Sequence, residues 1–222
     1  MIKTKKLILF GTSEITQIAN MYFENDSEYE VVAFTVDRDY CKESEFEQKP
    51  LIPFDEIESV YPPTDYEMFI AISYAQMNRL RQQKFEEAVA KGYSLATYIS
   101  SKCSYLSQFK PGKNVFIFED NTIQPYVKIE DNVTIWSGNH IGHHSTIHSH
   151  NFISSHVVIS GHCTIKSNCF LGVNSTLAHK VILAEGTLLG AGVVMSKHSH
   201  PDSVYVAPKP ILLEKKSFDI KL

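Results

Sequence analysis

Histidine is absent from the first 139 residues of this 222-residue chain, and all ten copies follow. Side chains able to exchange protons near neutral pH are therefore confined to the second half. An excess of positive charge is also missing. Lys and Arg number 21 against 25 Asp and Glu, a formal net charge of −4, which argues against nucleic acid as a primary partner. Up to residue 110 the balance is 12 against 17, so the acidity belongs to the first half. No apolar run approaches the ~20 residues of a membrane-spanning helix, and the run Leu7–Phe10 behind the basic N-terminus is too short for a secretory signal. Cys41, Cys103, Cys163 and Cys169 form no CxxC pair and no dense disulfide framework, so they read as reduced thiols of a cytoplasmic protein.

The first half alternates strand and helix patterns. Leu7–Phe10 is a buried-strand run closed by Gly11-Thr12-Ser13-Glu14, and a helix with the apolar stripe Ile15, Ile18, Ala19, Tyr22 follows. Val31–Val36 and Met68–Ile72 are further strands, separated by a polar loop, a short helix around Phe54–Val60 and the Pro62-Pro63 break. A helix over about Ala75–Lys91 and a last strand over Ser94–Ile99 complete the pattern, which implies a parallel sheet with crossover helices. Ligands of such sheets sit at the carboxyl ends of the strands. Those ends carry Gly11, Thr12 and Ser13, then Asp37 and Arg38, then Ser73 and Tyr74. A helix start beside Gly11 offers N–H groups to a phosphate. Only one glycine stands where a dinucleotide fingerprint needs three, which makes an NAD enzyme a poor reading.

The second half counts in sixes. From Ile117 to Leu189 every sixth residue is aliphatic, nine isoleucines and then four leucines. Two residues before each stands a compact one, from Val115 through Asn121, Val127 and Val133 to Thr187. Neither an α-helix nor a simple strand repeats in this way. A triangular parallel β-helix does: each side is one short strand, both series point inward, and three sides make a coil of eighteen residues. Cys163 and Cys169 fall in the compact series and read as core.

The eighteen-residue coil also says which residues stack. His143, Gly161 and His179 share one corner site, and His144 and His162 share the next. His156 lies between Gly138 and Asn174 at another corner, while His148, His150, His198 and His200 are expected to be outward-pointing corner residues. Gly161 gives His143 an open floor and a backbone N–H, which suits a general base beside an oxyanion donor. The competing reading is a histidine-bound zinc of the type found in β-helical carbonic anhydrases. His143 and His148 match one spacing of that site, but the residue 36 earlier is Ser107, so no metal is expected.

Taken together, Phe10-Gly-Thr-Ser-Glu-Ile15, Trp136-Ser-Gly-Asn-His-Ile-Gly-His-His-Ser145, Phe152-Ile-Ser-Ser-His-Val-Val-Ile-Ser-Gly161 and Cys169-Phe-Leu-Gly-Val-Asn-Ser175 resemble the bacterial nucleotide-sugar acyltransferases of the PglD and NeuD type. The resemblance implies a Rossmann-like α/β nucleotide-sugar-binding domain (1–105), then an all-β left-handed parallel β-helix with a C-terminal cap (106–222). It implies a homotrimer with active sites between subunits and acetyl-CoA along the β-helix. The expected acceptor is a nucleotide-linked amino-dideoxyhexose, acetylated on nitrogen for glycan or O-antigen assembly. His143 aligns with the family's base and Gly161 with its oxyanion glycine, with His144 as a modulator. Ser155, His156, Val173 and Ala191 fall along the coenzyme. Two departures stand out: relatives often have a carboxylate where His144 stands, and the PglD branch has a histidine where Phe152 stands. A sugar O-acetyltransferase of the sialic-acid type and a non-catalytic trimeric binding module are the alternatives.

Overall fold

The computed structural model describes residues 2–220. Strands β1 (Lys5–Phe10), β2 (Tyr29–Val36), β3 (Glu45–Phe46), β4 (Lys49–Pro53) and β5 (Glu67–Ile70) form a sheet of order β3-β4-β2-β1-β5, parallel except for β3. Helices α1 (Glu14–Asp26), α2 (Ile57–Val60) and α3 (Arg79–Ala90) accompany it. Leu7 and Leu9 face one apolar cluster with Phe23, Phe34 and Phe69, while Ile8 and Phe10 face another with Phe54, Ile57 and Phe85. This is the two-sided burial expected of a parallel sheet covered on both faces.

Three local readings of the sequence need correction. The stretch taken as a polar loop contains the β3–β4 hairpin; Pro50 and Pro53 hide it, because proline argues against strand in a sequence. The third helix begins at Arg79 and not Ala75, because Gln76, Met77 and Asn78 all take left-handed φ of 52°, 53° and 66°. The segment Ser94–Ile99 is divided: Leu95 bridges Met68 in the first sheet, whereas Tyr98–Ile99 already pairs with Phe116–Ile117.

From Tyr98 onward, two-residue strands stack in three parallel sheets, and partners are eighteen residues apart (Thr134↔Phe152, His140↔Val158, Thr146↔Thr164) up to the closing pair Leu188↔Val204, which is shorter. Every aliphatic of the period-six series from Ile117 to Leu189 points into one interior cluster, together with Val115, Val127, Val133, Val157, Cys163 and Cys169. Polar members of the compact series tie coil to coil. Asn121, Asn139 and Asn151 accept the N–H of Asn139, Val157 and Cys169 on the next coil, so burial leaves those amide oxygens satisfied.

One face differs from the other two. Its outward positions are Tyr98, Phe116, Thr134, Phe152, Phe170 and Leu188, and the α/β module packs over it. The corner leading onto that face repeats Asn114, Asn132, His150 and Asn168, all with φ between 54° and 64°. α3 docks there. Buried Arg81 donates from Nε to Asn132 Oδ1 (3.1 Å), and from its other nitrogens to the carbonyls of Ser73 (2.7 Å), Asn132 (3.2 Å) and Asn151 (2.9 Å). Asn78 donates to the Cys169 carbonyl (3.0 Å) and Gln82 accepts from Asn168 (3.0 Å). His150 is thus not an outward corner residue. It is wedged against Phe85 with ring centroids 5.7 Å apart.

Candidate active site

Opposite the docked module, the corner between the second and third faces carries the histidines. Tyr126, His144 and His162 occupy the same turn position on successive coils with φ of 67°, 58° and 60°, so their rings form a column. Tyr126 stacks on His144 (4.5 Å, 28°) and His144 on His162 (4.8 Å, 9°). His143 meets the column edge-on, its Nδ1 3.0 Å from Nδ1 of His144. One of these two nitrogens donates and the other accepts. When the Nδ1 proton sits on His143, His144 orients the ring and leaves Nε2 of His143 bare. The stacking foreseen from the coil length is therefore present.

The Nε2 edge of His143 overhangs Gly161: a Cβ placed there would lie 2.9 Å from both Nε2 and Cε1. Among the described residues the Gly161 N–H has no acceptor, and the same is true at Ser155, Val173 and Ala191. An N–H without a backbone acceptor thus recurs at this turn position, although His143 and Ser149 there donate to the side chains of Gln124 and Glu130. What singles out Gly161 is its missing side chain and that of Gly142, whose added Cβ would sit 2.5 Å from the Gly161 nitrogen. The two glycines keep that N–H open beside an imidazole edge.

A cavity of about 510 Å³ lies elsewhere, between the module and the first corner of the prism. Ser13, Glu14, Ile15 and Ile18 of α1, Ser73 and Tyr74 after β5, and Trp136, Phe152, Ser154, Ser155 and Val173 line it. The backbone N–H groups of Glu14 and Ile15 have no protein acceptor, the usual state of a first helical turn. Tyr74 packs on Phe152 (5.0 Å) and Phe170 (4.8 Å), which fixes the aromatic wall. Of the residues named from sequence, Ser13, Ser73, Tyr74, Ser155 and Val173 meet here. Sequence reasoning missed Glu14, Ile15, Trp136, Phe152 and Ser154. The outward aromatics recurring at 116, 152 and 170 were the available signal that this face is covered.

The remaining residues lie apart from that cavity. Gly11 is buried with φ of 131°, its N–H bound to the Thr35 carbonyl (2.8 Å), and a Cβ there would strike Thr16 and the Ala71 carbonyl. Close packing explains this glycine. Thr12 lines a smaller hollow with Tyr40 and Phe46. Asp37 and Arg38 line a separate cleft with Phe54, Asp55 and Lys91. Asp37 pairs with Lys84 (2.7 Å), and Arg38 with Asp55 and Glu56. His156 is exposed over Gly138, and Ala191 is exposed two coils along from Ser155. No described helix is long and apolar enough to cross a membrane.

Residues 126–161 match the family described as bacterial transferase hexapeptide (six repeats). No curated protein matches the sequence. Among solved structures, the chain is similar to the acetyltransferase domain of PglB from Neisseria gonorrhoeae (TM-score 0.81, 20% identity, 92% of this chain and 97% of that one). It is also similar to PerB from Caulobacter crescentus, solved with CoA and GDP-perosamine (TM-score 0.79, 20% identity, 93% and 96%). WeeI from Acinetobacter baumannii is a third (TM-score 0.56, 16% identity, 92% and 97%). The likeness extends over both halves of the chain, and the parallel sheets and hexapeptide repeats fit a left-handed β-helix.

Proposed function

We propose that this chain is an acetyl-CoA-dependent N-acetyltransferase acting on the amino group of a nucleotide-linked amino-dideoxyhexose. The observation that carries the reading is the His143 edge over the open Gly161 N–H. Neutral His143 takes a proton at Nε2 as the sugar amine attacks the thioester carbonyl. The Gly161 N–H then faces the oxygen that becomes negative, where a preorganised donor lowers the barrier. The C–S bond breaks, CoA leaves as the thiolate, and the proton held on His143 is available to it. No enzyme nucleophile is required, since the thioester is already activated.

His144 is the orienting acceptor in the place where relatives often have a carboxylate. An imidazole fixes the tautomer without lending negative charge. The solved complexes of PerB with CoA and GDP-perosamine, and of the PglB domain with acetyl-CoA, support this substrate pair.

The large cavity is our proposed nucleotide-sugar site. The start of α1, with Ser13, favours an anion such as a diphosphate, and Ser73 and Tyr74 form the opposite wall. We read the α/β module as a Rossmann-like nucleotide-sugar domain and the prism as the left-handed acyltransferase β-helix, which begins at Tyr98, ahead of the boundary at residue 105 expected from the sequence. Gly11 supports the turn by packing. Thr12, Asp37 and Arg38 stand outside this cavity, in neighbouring hollows of the module, and we assign Asp37 and Arg38 to contacts with the base or ribose only if the nucleotide extends there. The unpaired N–H groups of Ser155, Val173 and Ala191, with His156 beside them, form a ladder suited to the amide-bearing arm of the coenzyme. Because the cavity and His143 sit at different corners of one prism, we assign the working form to a homotrimer in which neighbouring chains complete each site. Four free thiols fit a cytoplasmic setting, and the acceptor class fits O-antigen or lipopolysaccharide assembly.

A thiol-release assay with acetyl-CoA and UDP-, dTDP- and GDP-linked 3-amino and 4-amino dideoxysugars tests this. Turnover on one of them is expected, falling at least ~100-fold in His143→Asn. Silence across the panel refutes the amine-acceptor reading and directs attention to hydroxyl acceptors.

A further inference from the structure

We propose that His143, His144 and His162 bind one divalent transition-metal ion of the zinc class, and that this ion and acyl transfer exclude one another. The second half rests on the base role of His143 proposed above; the first stands on geometry.

Each of the three residues offers one ligand atom, and these atoms all lie within 4.8 Å of one another. The set holds imidazoles only, with no carboxylate or thiolate. That donor chemistry suits Zn²⁺, Ni²⁺, Co²⁺ or Cu²⁺ and discriminates against Mg²⁺ and Ca²⁺, which prefer oxygen. Two nitrogens on one tetrahedral zinc stand about 3.3 Å apart when each bond is near 2.0–2.1 Å. The Nδ1 atoms of His143 and His144 are already 3.0 Å apart, so the first two ligands need to open by only a few tenths of an ångström.

The third ligand requires a rotation. His162 lies flat over His144, 4.8 Å away and 9° from parallel, so its lone pair does not yet point at a shared centre. The ring is exposed, and turning about its side-chain torsions meets solvent rather than core. The backbone needs no change, because the repeated left-handed turn already sets His144 and His162 one coil apart. Three protein ligands leave the fourth position to water.

Protons oppose the ion. Metal binding needs neutral imidazoles. His179, 5.3 Å from His162, is next to the cluster but outside it. A metal on Nδ1 of His143 leaves the proton of the neutral ring on Nε2, so the nitrogen that would accept the amine proton has no free lone pair.

The test uses untagged, chelator-treated full-length protein titrated calorimetrically with ZnCl₂, with Co²⁺ absorbance reporting four-coordination. One ion per chain is expected for wild type and for His179→Ala. Binding should weaken at least tenfold in His144→Ala and His162→Ala, with thermal melts showing that both variants are folded. No heat with wild type, or wild-type affinity retained in both variants, overturns the site. Wild-type turnover should stop as zinc saturates and return with EDTA, whereas full turnover with zinc bound overturns the exclusion. A chain that binds zinc but acetylates no acceptor sinks the base reading, and the exclusion with it, and leaves the metal site standing.

Discussion

His150 shows how one side chain ties the prism corner to the pH of the solution. The amide oxygen of Asn132 accepts from Arg81 Nε (3.1 Å) and from Asn114 Nδ2 (2.9 Å), so its NH₂ must be the group 2.9 Å from His150 Nδ1. Nδ1 is therefore an acceptor and His150 is neutral. Burial first, and then the Arg81 charge, push its pKa below 6.5, against smaller opposing effects of Glu86, Asp131 and Glu130. The sign follows directly. The native state binds this proton less readily than the unfolded chain, so stability is full above pH 6.5 and falls as pH drops through the folded-state value. Wild type should lose more thermal stability between pH 7 and pH 5 than His150→Asn, in which the corner keeps an asparagine tolerant of the left-handed turn. At this chain size each kcal/mol is worth roughly 2–4 °C; identical pH curves would remove His150 from the account. The neighbouring corner makes a second residue-scale prediction. Gly161→Ala puts a methyl 2.9 Å from the His143 ring and forces it aside. The kcat should fall roughly 10- to 100-fold through misplacement of the base, with KM for acetyl-CoA and the melting temperature little changed.

At the scale of elements, α3 and the β-helix are joined by one buried cation. Arg81 is 1% exposed and has no carboxylate partner; backbone carbonyls and an amide surround it instead. Burial alone pushes its guanidinium below the usual arginine value. Arg81→Met removes the charge yet leaves the carbonyls of Ser73 and Asn132 without donors, at a cost of about 1–3 kcal/mol for each buried acceptor left unpaired. The Ser73–Tyr74 wall would then drift from Phe152, so KM for the sugar nucleotide should rise more than kcat falls. Steady-state kinetics with chemical denaturation would decide this, and an unchanged KM would show that the wall holds without Arg81. None of this junction was legible in the sequence, because an arginine on a polar helix stripe looks like a solvated one. The prism itself was legible almost residue by residue, since its period belongs to the backbone and each hexad repeats the same burial. The histidine corner was legible for the same reason: once the coil is eighteen residues, stacking is arithmetic. The cavity was not, because half of its wall comes from where the module docks, and docking leaves a trace only in the outward aromatics at 116, 152 and 170.

Seen as a whole molecule, one chain holds its pieces at the wrong corners. The cavity with Ser13, Tyr74 and Trp136 opens where the first face turns into the second. His143 and Gly161 lie one strand further on, where the second face turns into the third. If a site uses the cavity of one chain and His143 of its neighbour, two inactive chains can repair each other. His143→Asn spoils only the base, and Trp136→Asp, which puts a charge into the cavity wall, spoils only substrate binding. Co-expressed in equal amounts with different affinity tags, they should form hybrid trimers. A closed ring offers ordered neighbour pairs, so about a quarter of the sites should combine the intact base of one chain with the intact cavity of the next. Double-tag purification removes the single-variant rings, and each remaining ring has one whole site of three, so purified hybrids should regain about a third of wild-type turnover while each variant alone stays inactive. Sedimentation should show a trimer in every case. Hybrids that remain dead while trimeric would mean that each chain carries its own site, and the cavity would then have to reach His143 by a movement within one chain.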